Sequence, residues 1–463
     1  MKTNRYRYLT RPSTRSMWVF IVALFFFGVL CCGSGPPAAA TSSEAYAQLR
    51  LLVEALYEID QKYVTEKQDR DLIYGAIRGM VSSLDANSSF LSPSEYQEIQ
   101  AGVKQPEASA GMELSIKDNI LTVVSPIEGG PAWRTGIKAG DHILKINNQT
   151  TRNLTPLEAV KKLQGPPGTK VKLQLIRNGF VKPLDLELTL EKLAVPLVAH
   201  YQLEEGYHYL RLRSPQEGAA AELQQILRSI QANASPKKGL ILDLRNTAGG
   251  RPDDARRIAS SFLGNDVIYI VKGRHSEQKQ IVKGLKECLV LKNKLPLVIL
   301  VDHGTAQAAE VVTGALQAQW GALLLGYKTF GECGVVQTFP LKDGSALVIN
   351  VAFCYTPKDL LIQGRGLEPD LPGPKKDPEE QPVREDSKDQ EKPRNLPDVH
   401  EIMQDPLVHQ ALFQLKNWGS GRAIQSPGER SLKKNQAACF HSEEQEITKI
   451  SILGDQEHSL FQA

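Results

Sequence analysis

The chain is poor in the features that mark several function classes. Its six cysteines include no Cys-x-x-Cys spacing, so the usual structural zinc arrangements are excluded and no metal or cofactor is expected. Apart from the adjacent Cys31 and Cys32, the cysteines at 288, 333, 354 and 439 are scattered and read as isolated thiols, since a domain of this size does not need disulfides. There is no strong excess of one charge either: 55 basic against 52 acidic residues leave a net +3, which gives no basic footprint for nucleic acid. What is present is an ordinary globular composition, 41% hydrophobic and 23% charged over 463 residues, enough for two or three compact domains.

Only one long apolar run occurs, Met17 to Leu30, and Lys2, Arg5, Arg7, Arg11 and Arg15 precede it. It is short of the about 20 residues of a free-standing membrane span. With the small-residue stretch Pro37-Ala38-Ala39-Ala40 before Thr41, residues 1–40 read as an export signal. An uncleaved anchor with its basic end in the cytoplasm is the alternative. Leu30 stands before Cys31 where lipidation requires a small residue. The expected location is the bacterial periplasm or the outer face of the cytoplasmic membrane.

Residues 41–107 have a helical pattern, with Leu49, Leu52, Val53, Leu56, Ile59 and Tyr63 at threes and fours and a second helix over 71–84. Residues 108–191 hold short alternating strands at 120–124 and 170–176, and Thr155 with Glu158 forms a capping box for a helix reaching Leu163. Over 192–372 strands and helices alternate: strands at 207–212, 239–244 and 297–301, helices at 218–234, 253–263 and 309–317. Such alternation implies an α/β core. Residues 373–400 are a charged, Pro-rich linker, and 401–463 a tail with one short helix over 405–415.

Several motifs in this order resemble the carboxyl-terminal processing (tail-specific) serine peptidases. Gly79-Met80 through Leu84-Asp85 to Tyr96 is similar to that family's N-terminal signature. Pro131-Ala132, Gly136-Ile137, Gly140-Asp141 and Ile143 match the run of its PDZ domain. Leu242-Asp243-Leu244-Arg245-Asn246-Thr247-Ala248-Gly249-Gly250 resembles its oxyanion motif, and Tyr355-Thr356-Pro357 through Ile362-Gln363-Gly364 to Pro369-Asp370 its closing motif, departing at Asp359 where the family has glycine. The resemblance implies a β–β–α spiral core of crotonase type, an N-terminal helical segment and an inserted PDZ domain, a small β-barrel with helices. It also implies oxyanion donors at Gly249, Gly250 and Ala308.

The catalytic residues depart from the pattern. In Gly304-Thr305-Ala306-Gln307-Ala308-Ala309-Glu310, Gln307 stands at the family's nucleophilic serine. In Thr329-Phe330-Gly331-Glu332-Cys333-Gly334, Glu332 and Cys333 replace its lysine with one additional residue, and Gln337 matches the glutamine that positions that lysine. An amide cannot become an attacking alkoxide, and nucleophile and base are required in concert. The expectation is therefore an exported, PDZ-containing homologue that does not hydrolyse but binds protein C-terminal tails, as an adaptor or a regulator of an active peptidase or an envelope protein. The tail would add as a strand beside Gly111, Met112, Glu113 and Leu114, with Val160 opposite. The alternative is an active endopeptidase using Thr305, or Cys333 paired with His303.

Overall fold

The structure, a computed structural model, describes residues 42–419 except 86, 102–106, 118–119, 153, 155, 181, 194, 234, 276–278, 292 and 375–395. The expected signal, the Thr155 cap, Cys31, Cys32, Cys439, most of the linker and the end of the tail lie outside the described residues. No helix among the described residues is long and apolar enough to cross a membrane. The chain divides into two units, 1–76 and 77–463.

In the first unit, helix α1 (Ser42–Lys62) carries the expected apolar stripe, and Leu49, Leu52, Val53 and Ile59 are all exposed on it. Helix α2 (Asp69–Ser82) runs from the first unit into the second, with Asp69 and Asp71 at its N-terminal end. The second unit then departs from the purely helical expectation for 41–107. Strand β1 (Ser89–Leu91) buries Phe90 and Leu91, and α3 (Pro93–Gln100) follows under a capping box of Ser92 and Glu95.

The PDZ domain holds β2 (Ala108–Ser109), β3 (Met112–Lys117), β4 (Ile120–Pro126), α4 (Pro131–Arg134), β5 (His142–Ile146), β6 (Gln149–Thr150), α5 (Pro156–Lys162), β7 (Gln164–Gly165), β8 (Lys170–Ile176) and β9 (Leu184–Thr189). Its sheet runs β3-β4-β5-β8-β9. Apolar residues alternate along these strands, so one face closes on Leu114, Val123, Ile143, Leu173 and Leu175. Asp141 holds the turn through the Lys138 amide and is clamped by Arg177 at 2.7 Å. Among the described residues strand β3 pairs only with β4 and forms a sheet edge.

The core begins with β10 (Val198–Glu204), β11 (Tyr207–Leu212), α6 (Ala219–Ala232), β12 (Gly239–Asp243), α7 (Pro252–Leu263), β13 (Val267–Gly273) and β14 (Lys279–Lys283). It continues with β15 (Leu297–Val301), α8 (Ala308–Ala315), β16 (Leu323–Gly326), β17 (Gly334–Pro340), β18 (Ala346–Tyr355) and β19 (Leu371–Pro372), and ends in α9 (Val399–Gln404) and α10 (Pro406–Lys416). One sheet, β10-β11-β12-β15-β16-β19, is parallel from β11 onward. Its strands are apolar on both faces, as a doubly covered parallel sheet demands. Leu240, Leu242, Leu297 and Ile299 pack with α6, α7 and α8, while Ile241, Val298 and Leu300 pack with α9 and α10. At roughly 2 kcal/mol per fully buried aliphatic side chain, this sheet anchors the unit. The second sheet is antiparallel: β17 lines one edge of β18, while β13 and β1 share the other.

Candidate active-site cleft

The parallel strands β12 and β15 end side by side, and the turns that follow them form the floor of the site. After β12, Gly249 and Gly250 take φ values of 82° and 76°, open to glycine without strain. A Cβ on Gly250 would lie 2.3 Å from the Pro215 carbonyl oxygen. The second turn is tied to the first. Ala306 N–H donates to the Thr247 carbonyl at 3.0 Å, and the Thr305 hydroxyl donates to the Leu244 carbonyl at 2.7 Å.

Gln307 sits at the head of α8 with φ 55° and ψ −118°, a strained strand-to-helix elbow for any residue with a side chain. Ala308, the first residue of the helix, follows it.

Glu310 fixes the third loop against this elbow. Fully buried, it accepts from the Thr329 hydroxyl, the Gly331 and Glu332 amides at 2.8 and 2.9 Å, and the Gln307 amide at 3.1 Å. Burial pushes its carboxyl up to about 7, against the pull of these donors. Glu310 is thus the hub that brings Glu332 beside Gln307.

Glu332 is 5% exposed. Burial raises its pKa, the Asn87, Gln307 and Ser115 side chains draw it partly back, and the Asp85 charge raises it.

The PDZ domain reaches the same place. A bulge between Glu113 and Leu114 interrupts the β3–β4 register, and bulges re-aim side chains. The Glu113 carboxylate oxygen lies 2.7 Å from where a Gly249 Cβ would stand, and burial followed by the Glu332 charge raises its pKa. Gly249 is therefore buried under Glu113, while Gly250 is exposed. Val124 of β4 packs with Ala248, Ala306 and Phe330.

A cavity of about 410 Å³ opens here. Gly250, Gln307, Ala308, Glu332 and Cys333 line it, with Leu91, Ile99, Val311, Val336 and Val348 as apolar wall and Leu157 from the PDZ helix α5 at its rim. The groove between β3 and α5, where Leu114 is buried and Met112 and Val160 half-buried, thus belongs to the helix that also borders the cleft. Gly111, at φ 71° with Leu193, Pro131 and Gly130 packed against it, forms the loop at the head of β3.

Four expectations need correction. Cys333 is not an isolated thiol but is disulfide-bonded to Cys354, because the β17–β18 pairing brings the two positions together. It therefore offers no thiolate to His303, whose ring stacks with Tyr327 at 6.2 Å. Thr305 is fully buried, its hydroxyl bonded to the Leu244 carbonyl and accepting from the Asp302 amide at 3.0 Å, so it has no path to a peptide. Gln337 lies exposed on β17 opposite Ile349, outside the cleft wall. The additional residue after Glu332 is absorbed by a bulge at Val335/Val336, and Val336 lines the cleft instead. The glutamine that supports the loop is Gln363, whose Oε1 accepts from the Cys333 amide at 2.8 Å. Among the described residues, no group of three His, Cys, Asp or Glu side chains is arranged to hold a metal ion.

Sequence reasoning also missed β1 and the residues beside it. Asp85 accepts from the Asn87 and Ser88 amides and from Asn350 Nδ2, fixing Asn87 in the cleft wall. The Gly79–Tyr96 motif pointed to this segment without indicating that it closes the site.

Comparison with known proteins agrees with this architecture. The model of peptidase family S41 matches residues 206–372, and a PDZ-domain model matches residues 122–177. A carboxy-terminal-processing protease of Bartonella bacilliformis is 32% identical over 359 residues, covering 77% of this chain and 82% of that protein. The carboxy-terminal processing protease CtpA of Bacillus subtilis is 32% identical over 341 residues, covering 73% and 71%. Among solved structures, the photosystem II D1 C-terminal processing protease is similar with a TM-score of 0.58 at 25% identity, over 70% of this chain and 92% of that one.

Proposed function

From the premise that the chain belongs to peptidase family S41, we propose that it is an exported member that holds protein C-terminal tails without cleaving them. The observation that carries this reading is the residue at the elbow. Gln307 presents a carboxamide where a nucleophile would attack, and an amide nitrogen or oxygen forms no acyl intermediate at neutral pH. Neither alternative nucleophile is available to replace it, since Cys333 is held in a disulfide and the buried Thr305 hydroxyl is bonded to the Leu244 carbonyl.

The means of binding remain. The unpaired edge of β3 can take an extended tail as an added strand, with its terminal carboxylate at the amides around Gly111. Amides at Gly250 and Ala308, the latter at a helix N-terminus, favour a carbonyl or carboxylate oxygen in the cleft. A protein of this kind would act as an adaptor or regulator of an active peptidase or envelope protein. Export is supported by the Cys333–Cys354 bridge, which persists in an oxidising compartment, and by the basic and apolar leader.

The test uses the full chain and a fluorescent twelve-residue peptide ending in a free apolar C-terminus. Saturable binding, lost when the C-terminus is amidated, with intact peptide by mass spectrometry after overnight incubation, is the expected result. Cleavage that disappears in Gln307→Ala would overturn the proposal in favour of an active peptidase.

A further inference from the structure

Resting on the reading that this cleft holds a peptide, we infer that it takes a basic side chain of that peptide, a lysine ammonium or arginine guanidinium, against Glu332. The first observation is an orphan atom. Glu332 is 5% exposed and lines the cavity, and its Oε2 is buried with no hydrogen-bond partner. Buried carboxylate oxygens are almost always satisfied, and an exception at a cavity wall marks a place for a missing donor.

The second observation is the balance of charge. The Glu332 charge raises Glu113's cost of ionisation, and the Asp85 charge raises that of Glu332. Among the described residues no Lys, Arg or His forms an ion pair with Glu113 or Glu332. Lys117, on the same strand as Glu113, lies over the Phe330 ring at 5.6 Å. Asp85 is engaged by Asn87, Ser88 and Asn350, so it contributes field without being available as a ligand. A cation beside Glu332 offsets this negative field and lets its carboxylate ionise.

The shape of the cavity selects the kind of cation. Leu91, Ile99, Val311 and Val348 form an apolar wall suited to the aliphatic stem of a long basic side chain, with its charged head at the polar end. A bare metal ion would need three or more converging ligands, and the described residues supply no such group. The family-type lysine is thus inverted: a carboxylate on the protein awaits a cation from the ligand.

The experiment is a register scan. Twelve-residue peptides share one apolar free C-terminus and a Gln-rich body, and each carries Lys, Glu or Gln at one position from two to eight residues before the end. Binding is read by fluorescence anisotropy on the wild-type chain and on Glu332→Gln. The inference expects one register, or two neighbouring ones, where Lys binds about tenfold tighter than Gln and Glu binds more weakly. It also expects the Lys-over-Gln affinity ratio at that register to fall to about one in Glu332→Gln, whatever the variant's affinity for the all-Gln peptide. Equal affinities for Lys, Gln and Glu at every register on the wild type overturn it while leaving tail binding intact, and this arm needs no variant to fold. A Lys gain that survives in Glu332→Gln, or an equal gain produced by adding calcium or manganese to the all-Gln peptide, also overturns it. Failure of every peptide to bind removes the underlying reading, and this inference with it.

Discussion

A side-chain-bearing residue at φ 55° and ψ −118° costs of order 1–3 kcal/mol, and Gln307 holds that conformation at the head of α8. Gln307→Gly should therefore raise stability by about 1 kcal/mol in urea unfolding, whereas Gln307→Ser should keep the strain and still cleave nothing. Asp359, at φ 67°, occupies a second such position. The motif departure there was visible in the sequence, but its meaning, a left-handed backbone that glycine would adopt freely, is visible only in the fold. Glu310 sets a pH signature. Its folded pKa, about 7, lies above the ordinary glutamate value near 4.5. Its ionisation is therefore less favourable folded than unfolded, and its contribution is fully present below pH 4.5 and lost as pH rises to about 7. The stability gap between wild type and Glu310→Gln should narrow by about 3 kcal/mol between pH 4.5 and 8, as read from denaturation at each pH. A gap independent of pH would mean that Glu310 titrates normally.

The β17–β18 hairpin explains at the level of elements what the sequence could not disclose. Cys333 and Cys354 share no recognised spacing, and counting back evenly from the Lys342-Asp343-Gly344 turn sets residue 333 against Phe353 rather than Cys354. The bulge at Val335/Val336 shifts the pairing so that Gly334 meets Phe353, which leaves Cys333 beside Cys354. A bulge has no reliable signature in a single sequence, so the bridge and the outward turn of Gln337 stayed hidden together. By contrast, β12, β15 and the helices after them were legible because apolar runs bounded by glycine turns suffice to mark them. A non-reducing digest should yield one disulfide-linked peptide containing both cysteines. Cys354→Ala should cost about 3 kcal/mol, as expected for a loop of this length, and should loosen Glu332, seen as faster hydrogen exchange at residues 329–336.

At the scale of the whole molecule, a buried charged triad joins the PDZ domain to the core beside the apolar contact of Val124 with Ala248, Ala306 and Phe330. Glu128 accepts from Arg211 at 2.6 Å and from Arg213 at 3.1 Å, and all three are buried. Removing one member of such a group leaves uncompensated charge and costs about 3–5 kcal/mol. Glu128→Gln should therefore lower the melting temperature and expose the junction around residues 191–197 to limited proteolysis. Retention of the wild-type cleavage pattern would mean that other contacts suffice. Domain order was readable from the sequence; this docking was not, since a glutamate in the PDZ loop, Arg211 on β11 and Arg213 just past its end carry no mutual signal until they meet. The pairing of Ser89–Leu91 with Ala346–Val348 at the start of β18 has a consequence in time. Long-range strand pairing is slow because the intervening loop must close first. A chain emerging N-terminus first keeps β1 waiting until nearly the whole core has been made. The part of the cleft wall that β1 supplies then assembles only once β18 has been made, and a product truncated before Ala346 has no partner strand for β1.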